Sequence, residues 1–293
     1  MELKHINSSL PLEAFAESRQ GGRKENQDSW DAADTPFGFV ATVCDGMGGG
    51  PGGKTASTIA VKTIMNTFFG PESEVPDAQG ETEEIEEIEE KEDSEVPPSP
   101  KKLLAKAVEN ANSAIRDACI DNPALKGMGS TCTILLITEE REAFIAHVGD
   151  SRVYQLRGRK KVFRTFDHSM VFDLVRQKVI TEEQARLSEQ SNIITKALGV
   201  TEVVEPDIES VNYKPGDRFL LCTDGIHGTM PESELIRRAT EMGSVGKMVD
   251  DIATYVDGTG RKNGGGHDNL TLVVVRMNKK SIIKKIYESL FHR

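Results

Sequence analysis

Five short apolar segments, Thr131 to Thr138, Ala143 to Val148, Arg152 to Leu156, Phe219 to Cys222 and Leu270 to Val275, have the length and residue types of β-strands. Several are joined by links as brief as Glu139-Glu140-Arg141. A parallel crossover needs about a dozen residues or more, so links of this kind require hairpins and antiparallel pairing. A sixth run, Phe37 to Cys44, ends at Asp45-Gly46 and reads as a buried strand passing into a turn. Two other stretches carry apolar residues at helical spacing: Lys54 to Phe69, through Ala56, Ile59, Ala60, Ile64 and Phe68, and Lys101 to Cys119, through Leu104, Ala107, Val108, Ala111 and Ile115. Many β-segments with few long helices predict an α+β chain in which mostly antiparallel sheets pack on each other beneath helices.

At 293 residues and 37% hydrophobic content the chain can bury a substantial core, and its length fits one large domain or two small ones. The formal charge of -11 is concentrated: residues 71–100 hold 13 acidic side chains and one lysine, so the remainder is close to neutral. No general repulsion of phosphate-bearing partners follows, and nothing suggests a nucleic-acid partner. The glutamate-rich stretch closes with three prolines, Pro97, Pro98 and Pro100, and its like charges repel. It is expected to be a solvated spacer, disordered or loosely helical, with regulation or partner binding as the alternative.

The four cysteines, Cys44, Cys119, Cys132 and Cys222, form no C-x-x-C pair, which argues against a zinc knuckle or redox motif and for reduced, mostly buried thiols. The start, MELKHINSSLPLEAF, lacks a basic region followed by an apolar run, and no stretch of about 18 apolar residues occurs. A cytoplasmic protein without a membrane span is expected, monomeric for want of an interface signal. Residues 279–293 alternate apolar and basic positions and read as a basic amphipathic terminal helix or tail.

Phosphate esters resist hydrolysis because their negative oxygens repel a nucleophile. A catalyst therefore needs positive charge nearby and a partly ionised water, and two divalent ions supply both. Hard cations prefer carboxylate oxygen, so aspartates at strand ends are the residues to seek. Four stand out: Asp45 in VCDGMGGG, Asp150 in HVGDSR, Asp224 in LLCTDGI and Asp268 in GGGHDNLT. One D-G alone is ordinarily a turn, whereas four such positions in one chain point to a shared purpose. The segment GGRKENQDSW adds Asp28 and Arg23, whose planar guanidinium can grip two phosphate oxygens.

In this order, R-K-E-N-Q-D, V-C-D-G-M-G-G, G-M-G-S-T-C-T, H-V-G-D-S-R, L-L-C-T-D-G and G-G-H-D-N-L-T-L-V-V-V resemble the metal-dependent protein serine/threonine phosphatases of the type 2C family, in their bacterial form, from about Ala16 to Arg276. The resemblance implies a four-layer αββα sandwich with a flap at about 167–199, residues 1–278 forming a single phosphatase domain with the acidic insertion 71–100. It also implies phosphoprotein substrates, themselves products of serine/threonine kinases, and two Mn²⁺ or Mg²⁺ ions per chain with a weaker third. Carried over by position, Asp45 resembles the carboxylate bridging both ions and Gly46 a backbone carbonyl ligand of one. Asp224 and Asp268 resemble ligands of the other ion, and Asp150 a ligand of the third, shared with Asp224. Asp28 resembles the aspartate that holds metal-bound waters, and Arg23 the phosphate-gripping arginine. The implied mechanism is in-line attack by a hydroxide bridging the two ions, with no phosphoenzyme.

The match departs in places. Gln27 stands where some relatives carry glutamate, and Met47 where eukaryotic relatives carry histidine, which leaves the leaving-group proton donor unassigned. SEQS precedes I-I-T-K-A-L-G where related chains often carry histidine, proline and arginine. Inside the flap, Thr181 and Gln184 have the spacing of a capping box. His168 and His267 are expected to be hydrogen-bonding supports near the site, and His147 a packed position. Two other functions remain open at this level: a catalytically silent phosphoprotein-binding relative, and a phosphatase of small esters.

Overall fold

The computed structural model of the chain describes residues 3–48, 52–70 and 98–279. The acidic stretch up to residue 97 and the terminal basic segment from residue 280 lie outside the described residues. The strands are β1 (Lys4–Ile6), β2 (Leu12–Arg19), β3 (Asp28–Thr35), β4 (Gly38–Met47), β5 (Gly129–Ser130), β6 (Cys132–Ile137), β7 (Glu142–Val148), β8 (Arg152–Arg157), β9 (Lys160–Arg164), β10 (Asp207–Asn212), β11 (Arg218–Cys222) and β12 (Leu270–Met277). The helices are α1 (Gly52–Phe69), α2 (Pro100–Asp121), α3 (Met170–Arg176), α4 (Glu182–Arg186), α5 (Asp224–His227), α6 (Glu232–Ala239) and α7 (Val245–Lys262). No helix of the described residues is long and apolar enough to cross a membrane.

Two antiparallel sheets form. One runs β1-β2-β12-β11-β8-β9 and the other β10-β7-β6-β4-β3, with β5 paired to β4 beyond the end of β6. The central strands are apolar at nearly every position because both of their faces are covered. Along β4, Phe39, Ala41 and Val43 enter the layer between the sheets, while Val40 and Cys44 point outward beneath α1 and α2. Along β12, Val273 and Val275 face the inter-sheet layer, while Leu272 and Val274 pack under α6 and α7. The period of two is thus intact, and it sorts apolar residues between two cores rather than between core and water. The result is the four-layer αββα arrangement.

Local signals fix the helix starts. Ser99 accepts a hydrogen bond from the Lys102 amide ahead of Pro100 at the first helical position of α2. Thr181 and Gln184 form the reciprocal capping box that opens α4. Segment 167–199 carries α3 and α4 around a small apolar cluster of Val171, Phe172 and Ala185. All four cysteines are free, and Cys44, Cys132 and Cys222 are buried.

The inter-sheet layer carries a direct expectation. Leu221 is fully buried there, so Leu221→Ala should lower unfolding free energy by about 2–5 kcal/mol in chemical denaturation. Val162, 49% exposed on β9, should tolerate alanine within about 0.5 kcal/mol. Equal losses at the two positions would contradict the layered account.

Candidate metal centre

The site lies where the two sheets meet at one end of the sandwich. In one sheet Asp28 opens β3 and stands directly across from Asp45 of β4. In the other, Asp224 follows β11 at the start of α5, and Asp268 precedes β12. Asp150 occupies the link by which the chain leaves β7 and enters β8, crossing between the sheets.

Asp45 corrects one sequence expectation. Asp45-Gly46 is not a turn: β4 continues to Met47, paired with β5 through Gly46↔Ser130 and Met47↔Gly129. Glycine is required for a different reason. A Cβ on Gly46 would stand 1.9 Å from the Gly53 carbonyl oxygen and 2.8 Å from that of Gln27, so the strand passes closely beneath the start of α1. Thr131 holds the neighbouring backbone from both sides: its amide donates to the Asp45 carbonyl at 2.8 Å, and its Oγ1 accepts from the Asp45 amide at 2.8 Å. The same hydroxyl lies 2.7 Å from Ser151 Oγ, joining β4 to the Asp150 turn.

A cavity of about 210 Å³ is lined by Arg23, Asp45, Gly46, Asp150, Asp224 and Asp268 among others. Asp28 sits behind it. One of its oxygens accepts from Thr223 Oγ1 at 2.9 Å and Thr271 Oγ1 at 2.7 Å, and the other is buried without a hydrogen-bond partner. Asp28 instead borders a separate groove of about 750 Å³ along β3 and α1. Asp224 Oδ1 is likewise buried and unpartnered. Asp268 and Arg23 are more exposed and form an ion pair of 2.7 Å at the rim.

Sequence reasoning overlooks Asn269. Its Oδ1 accepts from the Gln27 amide at 2.9 Å, and its Nδ2 donates to the carbonyls of Gln20 and Glu25 at 2.7 and 2.8 Å. One side chain therefore fixes the loop bearing Arg23 and Asp28 against the strand bearing Asp268. Its place inside G-G-H-D-N-L-T is the available signal. Asn192 and Ile194 of the flap also reach the cavity, which no local pattern announces.

Among the described residues, the histidines stand aside from the cavity. His227 Nε2 lies 3.0 Å from the Asp150 carbonyl oxygen, and His267 Nε2 lies 2.9 Å from Asp257 of α7. His168 Nδ1 accepts from the Gly149 amide at 3.1 Å. His147 is buried, and burial, reinforced by His168, pushes its pKa down to about 3.

Bringing these carboxyls together is electrostatically unfavourable. Burial above all, and then the charges of Asp28, Asp224, Asp150 and Asp268, hold the Asp45 carboxyl well above its usual range. Burial and Asp224 do the same to Asp150. Asp28 is raised to about 7, chiefly by burial and against the two threonine hydrogen bonds, and Asp224 to about 6, chiefly by burial and Asp268. Hard divalent cations suit such a set: oxygen donors only, two of them buried without partners, and negative charge lacking enough fixed positive charge to balance it.

The geometry defines a carboxylate-lined centre between two sheets of an αββα sandwich. The sequence pattern described as protein phosphatase 2C matches residues 17–261, and the chain belongs to that family. It is 31% identical over 258 residues, 88% of this chain and 89% of its counterpart, to a serine/threonine phosphatase, stp, of Listeria welshimeri. Among solved structures it resembles the serine/threonine phosphatase PstP/Ppp of Mycobacterium tuberculosis, at 28% identity and a TM-score of 0.73, covering 92% of this chain and 99% of that one. The catalytic domain of PstP crystallised with 2 manganese ions has a TM-score of 0.71 at 28% identity, with 92% and 99% coverage.

The raised carboxyl pKa values set a pH dependence for the metal-free protein. The unfolded chain releases these protons near 3.8, the folded chain only near 6 for Asp224 and 7 for Asp28. The folded state holds more protons in between, so this contribution is fully present below pH 3.8 and lost as pH rises through the folded values. With chelator present, melting temperature should fall from about pH 4 to about pH 7, and added Mn²⁺ should restore it most at the upper end. A melting temperature that climbs across that interval in chelator would contradict the assignment.

Proposed function

We propose that the chain is a protein serine/threonine phosphatase that hydrolyses phosphoserine and phosphothreonine with two Mn²⁺ or Mg²⁺ ions held by Asp45, the Gly46 carbonyl, Asp224 and Asp268, and a third, weaker ion at Asp150 shared with Asp224. The observation that carries this reading is the convergence of Asp45, Asp150, Asp224 and Asp268 on one cavity. A family relative that only bound phosphoproteins would have no use for a repulsive carboxylate cluster of this kind. The relatives named as serine/threonine phosphatases support the substrate class.

When bound, the ions supply an ionised water at neutral pH and positive charge against the phosphoryl oxygens. The protein's own groups do the rest. Arg23, 54% exposed at the rim, grips the phosphate and stabilises its equatorial oxygens, exchanging its contact with Asp268 for one with substrate. Asp28 lies within electrostatic range of Asp45 and Asp224, and it orients waters at the centre from behind. Thr223 and Thr271 hold its carboxylate in place for that task. Asn269 keeps the Arg23 loop in register with the carboxylates.

No serine, cysteine or histidine of the described residues lines the cavity, and its one hydroxyl, Thr131 Oγ1, is engaged with the Asp45 amide and Ser151. The lining aspartates would be committed to the ions, which leaves water as the phosphoryl acceptor and requires no phosphoenzyme. Substrate selection falls to the flap, which contributes Asn192 and Ile194 to the cavity wall. A phosphoprotein partner, action in the cytoplasm and a monomeric state complete the proposal.

Hydrolysis of a phosphothreonine peptide, measured with Mn²⁺ and with chelator, tests this reading. Asp45→Asn and Asp224→Asn should each lower kcat by about a thousandfold or more, because each removes several kcal/mol of metal-borne stabilisation. Arg23→Ala should raise KM for the peptide while retaining Mn²⁺ dependence. Normal turnover in Asp45→Asn would refute the metal assignment, and hydrolysis of nitrophenyl phosphate without any hydrolysis of peptide would replace the protein substrate by small esters.

A further inference from the structure

Outside the carboxylate centre, His147, His168 and Asp207 bring ligand atoms within 4.8 Å of one another, a spacing that a metal ion could bridge. The surrounding bonds argue against an ion. A backbone amide can only donate, so the Gly149 N–H, 3.1 Å from His168 Nδ1, fixes that nitrogen as the lone-pair atom of the ring. The proton of neutral His168 then sits on Nε2, which faces Asp207 Oδ2 at 3.2 Å. Lys196 Nζ, 3.6 Å from the other Asp207 oxygen, already brings positive charge to this corner. The two imidazoles are stacked, with centroids 4.7 Å apart and planes 24° apart, an arrangement poorly suited to aiming both rings at one ion.

The same bonds assemble a different device. His168 is joined to the turn before Asp150 by two bonds to Gly149: the side-chain bond already given and its own amide donating to the Gly149 carbonyl at 2.8 Å. Its carbonyl accepts from the Thr195 amide at 2.8 Å, and its neighbour Ser169 bridges to Ile194. Ile194 lines the carboxylate cavity. One residue thus touches both the Asp150 turn and the returning segment of the flap. The turn has little freedom to accommodate substitutes. Gly149 has φ +101°, and a Cβ there would lie 2.7 Å from Thr131 Cγ2.

We propose that His168, with its tautomer set by the Gly149 amide and supported by Asp207, is a positioning residue that holds the Gly149–Asp150 turn and the flap segment at Ile194 in one register, so that Asp150 meets the third ion only when the flap is seated. The inference rests on the assignment of Asp150 to that ion. His168 touches neither substrate nor the reacting atoms. It acts through the Gly149 amide, as partners of metal ligands commonly act through the group they orient.

The experiment compares wild type, Asp150→Asn, His168→Phe, His168→Asn and Asp207→Ala for peptide hydrolysis as a function of Mn²⁺ concentration, with thermal melting of each protein. Asp150→Asn and His168→Phe should both raise the Mn²⁺ concentration for half-maximal activity, His168→Phe by about 10- to 100-fold. Asp207→Ala should shift it in the same direction by less. His168→Asn, whose carbonyl oxygen can take the Gly149 N–H, should stay within about fivefold of wild type, the worth of roughly one hydrogen bond.

A folded His168→Phe with wild-type Mn²⁺ dependence overturns the proposal, as does His168→Asn equal to His168→Phe at unchanged melting temperature. Should His168→Phe fail to fold, Asp207→Ala decides, because Asp207 is 48% exposed and its loss leaves the core intact; wild-type behaviour there overturns the proposal. Unchanged Mn²⁺ dependence in Asp150→Asn removes the third-ion assignment and the inference with it, while loss of turnover in Asp45→Asn leaves the main function standing. Stabilisation of wild type but not of Asp207→Ala by Zn²⁺ overturns the tautomer account in favour of an ion between the two histidines.

Discussion

Mutual repulsion among buried carboxyls is the constraint around which this chain is built. Asp28, Asp45, Asp150 and Asp224 are all driven upward in pKa, first by burial and then by neighbouring carboxylates, Asp268 among them. No local preference would assemble them, since their attachment points are spread from β3 to the start of α5. They are held together by what lies behind them: two sheets whose inner faces share the layer of Phe39, Leu135, Phe219, Val273 and their neighbours. Apolar burial there is non-directional but large, and it offsets an unfavourable charge cluster that divalent cations then convert into a favourable one.

The position of the cluster follows from the topology. Asp45 belongs to one sheet, Asp224 and Asp268 to the other, and Asp150 to the link between them. A centre straddling the seam depends on the spacing of the sheets more than a centre built on one sheet would. Several side chains cross that seam. Thr223 and Thr271 reach over to Asp28, Asn269 to the Gln27 amide, and Thr131 to Ser151. Each is a short polar side chain, so the positions are set by stiff bonds with few rotamers to lose.

Much of this is legible in the sequence, and the omissions have physical causes. The central strands announce themselves because both faces are buried, leaving apolar runs without a polar phase. Strands β1, β2 and β3 and the edge strand β10 do not, since their burial is partial and residues such as Asp31, Asp34, Glu209 and Asn212 interrupt any pattern. Asp45-Gly46 misleads because a D-G pair is the signature of a bend, whereas here glycine serves the close approach of α1 and the backbone stays extended. The four aspartates that line the cavity stand out in short sequence motifs. Asn192, Ile194 and the seam contacts are not, because a tertiary meeting between distant segments leaves no periodic trace in one chain. The capping box at Thr181 is readable because its two bonds join residues three apart and need no tertiary context.

The flap shows how a strongly bonded neck can carry a variable tip. At its base Arg152 and Asp167 form a buried bidentate pair with bonds of 2.7 Å, and Ser130 exchanges backbone hydrogen bonds with Leu198. A charge pair buried this deeply is a weak source of stability, because desolvation consumes most of its Coulombic gain, but breaking it leaves an uncompensated charge. Its value is therefore geometric: few alternative placements of the neck satisfy both groups. Farther out, Leu174, Val179 and Leu187 are exposed and the apolar cluster is small, so α3 and α4 are held as much by polar contacts, Arg164 with Glu182 and Arg186 with the Gly228 carbonyl, as by apolar burial. Backbone bonds tie the flap where it meets Gly149 and Ser130, and exposed apolar side chains lie where it meets solvent. That division leaves the outer surface of the flap free to vary without disturbing the carboxylates beneath it.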